Sequence, residues 1–344
     1  MGVYPSYIYS VDSVVSRKKQ KDNQLDSKLY LHFLRIAEDA ALACAPSIGQ
    51  GDRKESDRLA VEAMRHTMQS VPMAGTIVIG EGERDEAPML FIGEQVGLGG
   101  EKIDIAVDPL EGTNLCAENL PNAITVLAAA PEKGLLHAPD LYMEKLVVGP
   151  ACKGRVSLEW SVEKNLKAMS QALDLPLSEL QITVLDRPRH QSLIESIRRS
   201  GSRVHLISDG DLSACLLAAL EGSGTHGVMG TGGAPEGVLA AAALKCLGGE
   251  IQGRLVTDHN TASQSSAEQM GAEFNKIYLT DDLAPGSEII FAASGVTSGD
   301  LVQGVTLQGT AREVYSVLLT TGQTGLRYYK STLTLEGNRT TLAL

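Results

Sequence analysis

The sequence predicts an α/β fold built from two α/β halves. At 344 residues the chain exceeds the ~100–200 residues of one typical domain. Short apolar stretches of strand character alternate with helical patterns along its length, which is typical of α/β proteins. The 35 glycines and the 4% aromatic content favour many tight turns, as in enzymes with functional loops. We therefore expect an N-terminal arm (1–23), a first half (24–180) and a second half (181–344).

The elements of the first half follow from apolar spacing. Helical spacing from Leu25 to about Ala45 predicts the first helix, and Asp57 is expected to open the second. A turn over residues 72–75 then leads into the first strand. The predicted strands of this half are 76–79, 103–107, 123–130 and 146–149.

The second half begins with a β-α-β pattern. A strand at 182–185, a helix at 190–199 and a strand at 204–207 form this unit. The segments that follow are a helix at 212–220, a strand at 227–229, an alanine-rich helix at 237–247, a polar loop at 257–269, a strand at 287–293 and a C-terminal hairpin.

Composition excludes several classes of protein. The net charge of −12 argues against a general binder of nucleic-acid backbones, which would need a basic face. Apolar runs fall short of the ~20 residues that span a bilayer, so no membrane partner is expected. The five cysteines are widely spaced and form no CxxC pair, which indicates neither a disulfide framework nor a zinc site. These features fit the cytoplasm.

The strongest chemical motif is Asp108-Pro-Leu-Glu111-Gly-Thr113, placed directly after a predicted strand. Two carboxylates three residues apart on a turn can face one cation, and the Leu110 carbonyl offers a further oxygen. Gly112 allows close approach, and the amides at Gly112 and Thr113 can donate to a phosphate. An ordinary acidic turn is the alternative for this motif taken alone.

Further carboxylates follow other elements. Glu81 and Asp85 lie in an acidic loop after the strand at 76–79, Asp57 marks a helix start, and Glu236 begins the alanine-rich helix. Carboxylates held together repel one another unless cations join them, and oxygen ligands suit Mg²⁺ or Mn²⁺. Two or more such ions could activate water in phosphoryl transfer. A dinucleotide-binding loop is the weaker alternative, because Gly80-x-Gly82 lacks the third glycine of that motif.

Six ordered motifs resemble the class II fructose-1,6-bisphosphatases, a bacterial branch of the lithium-sensitive sugar phosphatases. The similarity is greatest to the cyanobacterial members that act on both fructose 1,6-bisphosphate and sedoheptulose 1,7-bisphosphate. It covers residues 25 to 335. The motifs are GTIVIGEGE (75–83), DEAPML (85–90), DIAVDPLEGT (104–113), APDLYMEK (138–145), RPRH (187–190) and GGAPEG (232–237).

The resemblance implies roles for individual residues. The implied metal ligands are Asp57, Glu81, Asp108, Glu111 and Glu236, and Asp85 with Thr113 is the implied catalytic pair for the attacking water. The implied substrate contacts are Glu111, Gly112, Thr113, Tyr142, Arg187, Pro188, Arg189, Asp209, Gly210, Asp211 and Gly233. Arg187 and Arg189 would hold the distal phosphate, which gives an acidic protein a local cationic site.

The same resemblance implies a layered αβαβα fold, a cytoplasmic homotetramer, and hydrolysis of the 1-phosphate in the Calvin cycle and gluconeogenesis. Two departures concern the wider superfamily. Glu111 stands where other members carry Asp, and Trp160 is followed by Ser161 rather than Asp, which disfavours an inositol monophosphatase. Arg53 replaces a Lys of some class II enzymes. The alternatives are another sugar or inositol phosphatase and a non-catalytic sugar-phosphate sensor.

Overall fold

The computed structural model describes residues 25, 28–80, 90–138, 140–256, 273–308, 311–323, 325–336 and 339–343. The predicted arm (1–23) and the predicted polar loop (257–269) lie outside these residues. Within the described part of the chain, no helix combines the length and the apolar character that a membrane span requires.

A larger sheet is formed by segments from both ends of the described chain. Its central strands are antiparallel apart from β1 and β3, which pair in parallel. The strand order is β15-β14-β13-β11-β4-β3-β1-β2, with β12 paired to β13. The strands are β1 (Met73–Ile79), β2 (Gln95–Val96), β3 (Glu101–Glu111), β4 (Ile124–Pro131), β11 (Ile290–Gly295), β12 (Thr306–Gln308), β13 (Ala311–Thr320), β14 (Arg327–Glu336) and β15 (Arg339–Ala343).

A smaller sheet is formed by the middle of the chain, in the order β10-β9-β5-β8-β6-β7. Strand β6 runs parallel to β7 and β8, whereas β5 is antiparallel to β8 and β9. The strands are β5 (Tyr142–Val148), β6 (Gln181–Leu185), β7 (Arg203–Ile207), β8 (Gly227–Gly233), β9 (Glu250–Leu255) and β10 (Tyr278–Leu279).

Helices cover both sheets and separate them, which confirms the layered αβαβα architecture. The outer pair α1 and α2 packs on the larger sheet, through residues such as Phe33 and Met64 against Ile105. The other outer pair, α4 and α5, packs on the smaller sheet. Between the sheets lie α6 and α7. The helices are α1 (Leu29–Cys44), α2 (Arg53–Met68), α3 (Thr113–Ala117), α4 (Val162–Leu173), α5 (Gln191–Arg199), α6 (Asp211–Leu217), α7 (Ala234–Leu247) and a short helix at Thr280–Leu283.

Helix α7 is the central element of the middle layer. Its residues from Gly237 to Leu244 are all buried, because both sheets contact the helix. A helix that is apolar on every side belongs in such a position. Small alanines let the two sheets approach it closely, and this brings residues of both sheets to the N-terminal end of the helix.

Several predicted boundaries differ from the structure. Helix α2 begins at Arg53 with Asp52 as its N-cap, so Asp57 lies in the second turn rather than opening the helix. Strand β3 does not stop at Asp108 but continues through an irregularity to Glu111. The boundary expected near residue 180 lies inside the smaller sheet, between α4 and β6. The chain instead passes between the sheets after β4 and again before β11.

Candidate active site

The two strands that precede the acidic motifs end at the same edge of the larger sheet. Strands β1 and β3 are parallel neighbours, so their carboxyl ends point the same way, as the sequence predicts. The register of β3 against β4 shifts between Asp108 and Glu111. Such an irregularity changes which face a side chain points to, and here it brings the two carboxylates together. The Asp108 carboxylate also accepts a hydrogen bond from the Leu110 amide (3.1 Å).

Glu236 reaches this edge from the middle layer. It lies in the first turn of α7, where Pro235 fits the start of a helix and the helix dipole favours a negative charge. Gly233 lies beside it, and a Cβ atom there would lie 2.0 Å from the Glu236 Oε2 atom, so a larger residue would displace this carboxylate. The Glu236 Oε2 atom is buried and has no hydrogen-bond partner in the protein.

Asp108, Glu111 and Glu236 form a carboxylate trio, in which one carboxylate oxygen from each residue lies within 4.8 Å of the other two. Burial, together with the charges of Glu236, Asp211 and Asp209, raises the pKa of Glu111 to about 8. Burial also raises the pKa of Glu236. Negative charge is therefore poorly accommodated here in the absence of a cation.

The carboxylate trio fits a divalent metal ion. Its donors are all hard oxygens, which suit Mg²⁺ or Mn²⁺ rather than softer metals. Glu236 belongs to this trio, and its buried Oε2 atom is a lone-pair donor that has no proton donor in the protein. A cation would supply the missing partner and would favour the charged form of Glu111, whose pKa is raised by burial first and by neighbouring carboxylates second.

The first turn of α6 connects the smaller sheet to the carboxylate trio. The Leu212 amide donates to Glu111 Oε1 (3.3 Å), and the Asn114 amide nitrogen donates to Asp209 Oδ2 (2.9 Å). Asp211 forms an ion pair with the buried Lys145 at 3.0 Å. Three polar contacts thus hold the turn that contains the predicted sugar contacts Asp209, Gly210 and Asp211.

Gly112 and Thr113 form the start of α3. Gly112 has a φ of +81°, a left-handed conformation in which glycine is strongly favoured. The Thr113 hydroxyl donates to the Leu110 carbonyl at 3.0 Å. The Leu110 carbonyl, which the sequence offered as a metal ligand, therefore already accepts a hydrogen bond, and this bond fixes the Thr113 hydroxyl.

The two arginines follow β6 in a turn whose first helical residue is Pro188. The Arg189 guanidinium lies 4.8 Å from the centre of the Tyr142 ring and donates to the Thr231 carbonyl (2.8 Å). Arg187 is half-buried, and its guanidinium donates to the Asp186 carbonyl. Tyr142 pairs with Gly233 across β5 and β8, so the arginine turn and the Glu236 end of α7 are adjacent.

The remaining predicted residues lie around or outside this group. Asp57 is on α2, and burial raises the pKa of its carboxyl, but it is not a member of the carboxylate trio. Arg53 forms an exposed ion pair with Glu118 (3.1 Å). Glu81 and Asp85 lie outside the described residues.

Three residues of the site were given no functional role from the sequence. Lys145 is the last residue of the APDLYMEK motif. A charged residue directly before the apolar Leu146 and Val147 is the sequence feature that could have indicated a buried lysine. Asn114 directly follows the phosphate-binding motif. His190 was expected to be structural, and it accepts a hydrogen bond from the Thr231 amide at 2.8 Å. That contact joins distant segments, which no local pattern indicates.

Comparison with known proteins gives extensive sequence matches. The family model described as bacterial fructose-1,6-bisphosphatase, glpX-encoded, matches residues 27–333. A Synechococcus sp. (strain JA-2-3B'a(2-13)) protein named D-fructose 1,6-bisphosphatase class 2/sedoheptulose 1,7-bisphosphatase is 44% identical over 88% of this chain and 95% of its own. A protein of the same name from Synechococcus sp. (strain CC9605) is 47% identical over 86% and 92%.

Matches to solved structures are more distant. The extragenic suppressor protein suhB of Bartonella henselae is 14% identical with a TM-score of 0.33, covering 55% of this chain and 74% of its own. An IMPase of Thermotoga maritima is 18% identical with a TM-score of 0.30, covering 54% and 71%. The family assignment therefore rests on the sequence matches, which extend through every motif of the site. On these matches, the chain belongs to the bacterial, class II family of fructose-1,6-bisphosphatases.

Proposed function

We propose that this chain is a metal-dependent phosphatase that removes the 1-phosphate of fructose 1,6-bisphosphate and of sedoheptulose 1,7-bisphosphate. The observation that carries the proposal is the carboxylate trio, a buried Glu111 with half-buried Asp108 and Glu236, at the end of β3 and the start of α7. Family membership supports the reaction type and the substrate class. The chain is accordingly a phosphoric monoester hydrolase.

The proposed ligands are Asp108, Glu111 and Glu236, with Asp57 and Glu81 added from the family resemblance. Bound Mg²⁺ or Mn²⁺ would lower the pKa of the attacking water and stabilise the charge that develops on the leaving oxygen. We assign to Asp85 and Thr113 the role of orienting or deprotonating that water. The hydrogen bond from the Thr113 hydroxyl to the Leu110 carbonyl fixes the position of this hydroxyl.

The substrate is proposed to lie between the two sheets. The amides of Gly112 and Thr113 start α3 and would receive the reacting phosphate, while Glu111 stays beside it. Arg187, Pro188 and Arg189 would hold the distal phosphate. The sugar would contact Tyr142, Gly233 and the turn from Asp209 to Asp211. In this arrangement the metal ions lie at the reacting phosphate, and the two arginines lie at the distal phosphate.

Phosphate release by the purified full-length chain tests the function. We expect release from both bisphosphates with Mg²⁺ or Mn²⁺ present, none after metal removal, and fructose 6-phosphate as the hexose product. Inositol 1-phosphate serves as the comparison substrate. No release from either bisphosphate with either metal would refute the proposal, and a kcat/KM ratio above ~10³ would exclude a dual enzyme.

We also propose a cytoplasmic homotetramer with roles in the Calvin cycle and gluconeogenesis. The family resemblance supports the assembly and the pathways, and the five free cysteines are consistent with a reducing compartment. Light scattering on the full-length chain measures its mass. A mass of four chains of 36.5 kDa supports the tetramer, and the mass of one chain refutes it.

A further inference from the structure

Lys145 lies inside the carboxylate site, although the proposed chemistry gives it no role. It belongs to β5, and its side chain is 2% exposed. Buried lysines are rare unless they are paired, because removing an ammonium group from water is costly. The surroundings of Lys145 must therefore stabilise its charge. They include the carboxylates of Asp211 and Glu236.

The immediate partner of Lys145 is Asp211. The Lys145 Nζ atom lies 3.0 Å from Asp211 Oδ2, and the carboxylate is 10% exposed. Gly232 makes room for the pair. A Cβ atom on Gly232 would lie 3.0 Å from Nζ and 2.5 Å from Asp211 Oδ2. A larger residue at this position would crowd the ion pair.

Asp211 connects this ion pair to the carboxylate trio. It is the first residue of α6, and the next amide, that of Leu212, donates to Glu111 Oε1. The position of this turn therefore fixes a hydrogen bond to a proposed metal ligand. Without the ammonium group, Asp211 would be a further unpaired carboxylate near Glu111 and Glu236.

We propose that Lys145 is a positioning residue of the active site, which holds Asp211 and with it the first turn of α6 against Glu111. The lysine also offsets repulsion among carboxylates that must accept a cation. This inference rests on the proposed function, because it takes Glu111 to be a metal ligand.

The test compares full-length variants with the wild type. Lys145→Met removes the charge and keeps most of the side-chain length. Asp211→Asn removes the partner charge, and the double variant removes both. Lys245→Met is the matched control, because Lys245 lies at the other end of α7 in an ion pair with Asp281 (2.7 Å). The measurements are Mn²⁺ binding by electron paramagnetic resonance, the melting temperature, and kcat and KM at saturating Mn²⁺.

We expect Lys145→Met to weaken Mn²⁺ binding or reduce kcat by about 10–100-fold, as is usual for residues that orient metal ligands. The double variant should be no worse than the more impaired single variant, because both substitutions break one contact. Lys245→Met should leave Mn²⁺ binding and kcat unchanged. If Lys145 had only a structural role, Lys145→Met would lower the melting temperature without changing the Mn²⁺ affinity or the kcat of the folded protein.

Several outcomes would overturn the inference. One such outcome is a Lys145→Met variant whose Mn²⁺ affinity and kcat equal those of the wild type. Another is a double variant whose loss of Mn²⁺ affinity or kcat equals the product of the two single-variant losses. If Lys145→Met does not fold, the double variant provides the test, since it leaves no unpaired buried charge. A double variant with wild-type binding and kcat, or one that also fails to fold, would again overturn it. An inactive wild type would instead refute the proposed function, whereas an active wild type with an unaffected Lys145→Met refutes this inference alone.

Discussion

At the residue scale, Glu111 combines conditions that are unfavourable for an ordinary carboxylate. It is 6% exposed, it faces Asp108 and Glu236, and its Oε1 atom accepts a hydrogen bond from Leu212. An amide in its place could keep the shape and the hydrogen bond but not the negative charge. Glutamine therefore separates the electrostatic role of Glu111 from its role in packing.

We predict that Glu111→Gln reduces kcat by ~10³-fold or more while the fold survives, because metal binding and water activation both depend on this charge. Glu132→Gln is the control, since Glu132 is exposed and pairs with Lys102 on the surface. Phosphate release and circular dichroism measure the two properties. If kcat falls by less than about tenfold, the Glu111 carboxylate has no catalytic role and Glu111 serves only in the turn.

Arg189 illustrates a second residue-scale property, which is preorganisation. Its guanidinium is already stacked on Tyr142 and hydrogen-bonded to Thr231. A side chain held in this way loses little further freedom when it binds a phosphate. The stacked geometry also distinguishes Arg189 from an unconstrained surface arginine.

We predict that Arg189→Ala raises KM for fructose 1,6-bisphosphate strongly and lowers kcat, because remote binding energy helps to hold the reacting end. Fructose 1-phosphate lacks the distal phosphate and should be affected far less. Arg198→Ala, on the exposed end of α5, should change neither substrate. Equal losses on both substrates would show that Arg189 supports the fold or the metal site.

At the scale of elements, sequence patterns predicted most helices and strands but not the end of β3. Apolar spacing identifies the inward-facing residues of each strand because burial has a local signature. The extension of β3 through Pro109 depends on pairing with β4, a strand that begins at Ile124. Pairing of this kind is decided by tertiary contacts, so Asp108 was expected to follow the strand rather than lie within it.

The turn after β6 shows how one element supports another. His190 Nδ1 contacts the Leu185 carbonyl at 2.8 Å, and its Nε2 atom accepts from the Thr231 amide. Arg189 donates to the carbonyl of the same Thr231. His190 therefore fixes the strand residue against which the arginine is held.

We predict that His190→Ala raises KM for the bisphosphate by about fivefold, the effect of losing one hydrogen bond, and leaves the monophosphate unaffected. His226→Ala is a matched control, because its Nδ1 atom accepts from the Gln181 amide near the beginning of β6. Steady-state kinetics on both substrates measure the difference. Equal effects of the two variants would contradict a link between His190 and Arg189.

At the scale of the whole molecule, the sequence predicted the fold class and the carboxylates but not how the chain divides between the sheets. Asp108, Glu111 and Glu236 were identified by residue type and by family motifs. Their meeting depends on α7, which places Glu236 from the middle layer beside β3. The links from Lys145 and Asn114 to the first turn of α6 join segments far apart in sequence, and no local pattern encodes them.

The stability of the whole molecule should depend on pH through Glu38. This buried residue of α1 accepts hydrogen bonds from Ser331 (2.7 Å) and Ser316 (3.3 Å), and burial raises its pKa above 4.5. The folded chain therefore binds a proton more tightly than the unfolded chain. Stability is lost as pH rises from about 4.5 through the folded-state pKa.

We predict that the wild type loses stability relative to Glu38→Gln as pH rises above 4.5 and through the raised folded-state pKa, because glutamine has no charge to bury. Scanning calorimetry at several pH values gives the difference in melting temperature. Glu62→Gln, on the exposed face of α2, should show no such trend. A pH-independent difference between wild type and Glu38→Gln would contradict the assignment.

The two crossings of the chain between the sheets have a consequence for evolution. Asp108 and Glu111 belong to the larger sheet, whereas Tyr142, Arg189 and the turn at Asp209 belong to the excursion between β4 and β11. Substitutions in this excursion can therefore change the proposed sugar and distal-phosphate contacts without altering the two proposed metal ligands on β3. Glu236 is the exception. It is a proposed metal ligand carried by the excursion, so it limits how far the excursion can diverge.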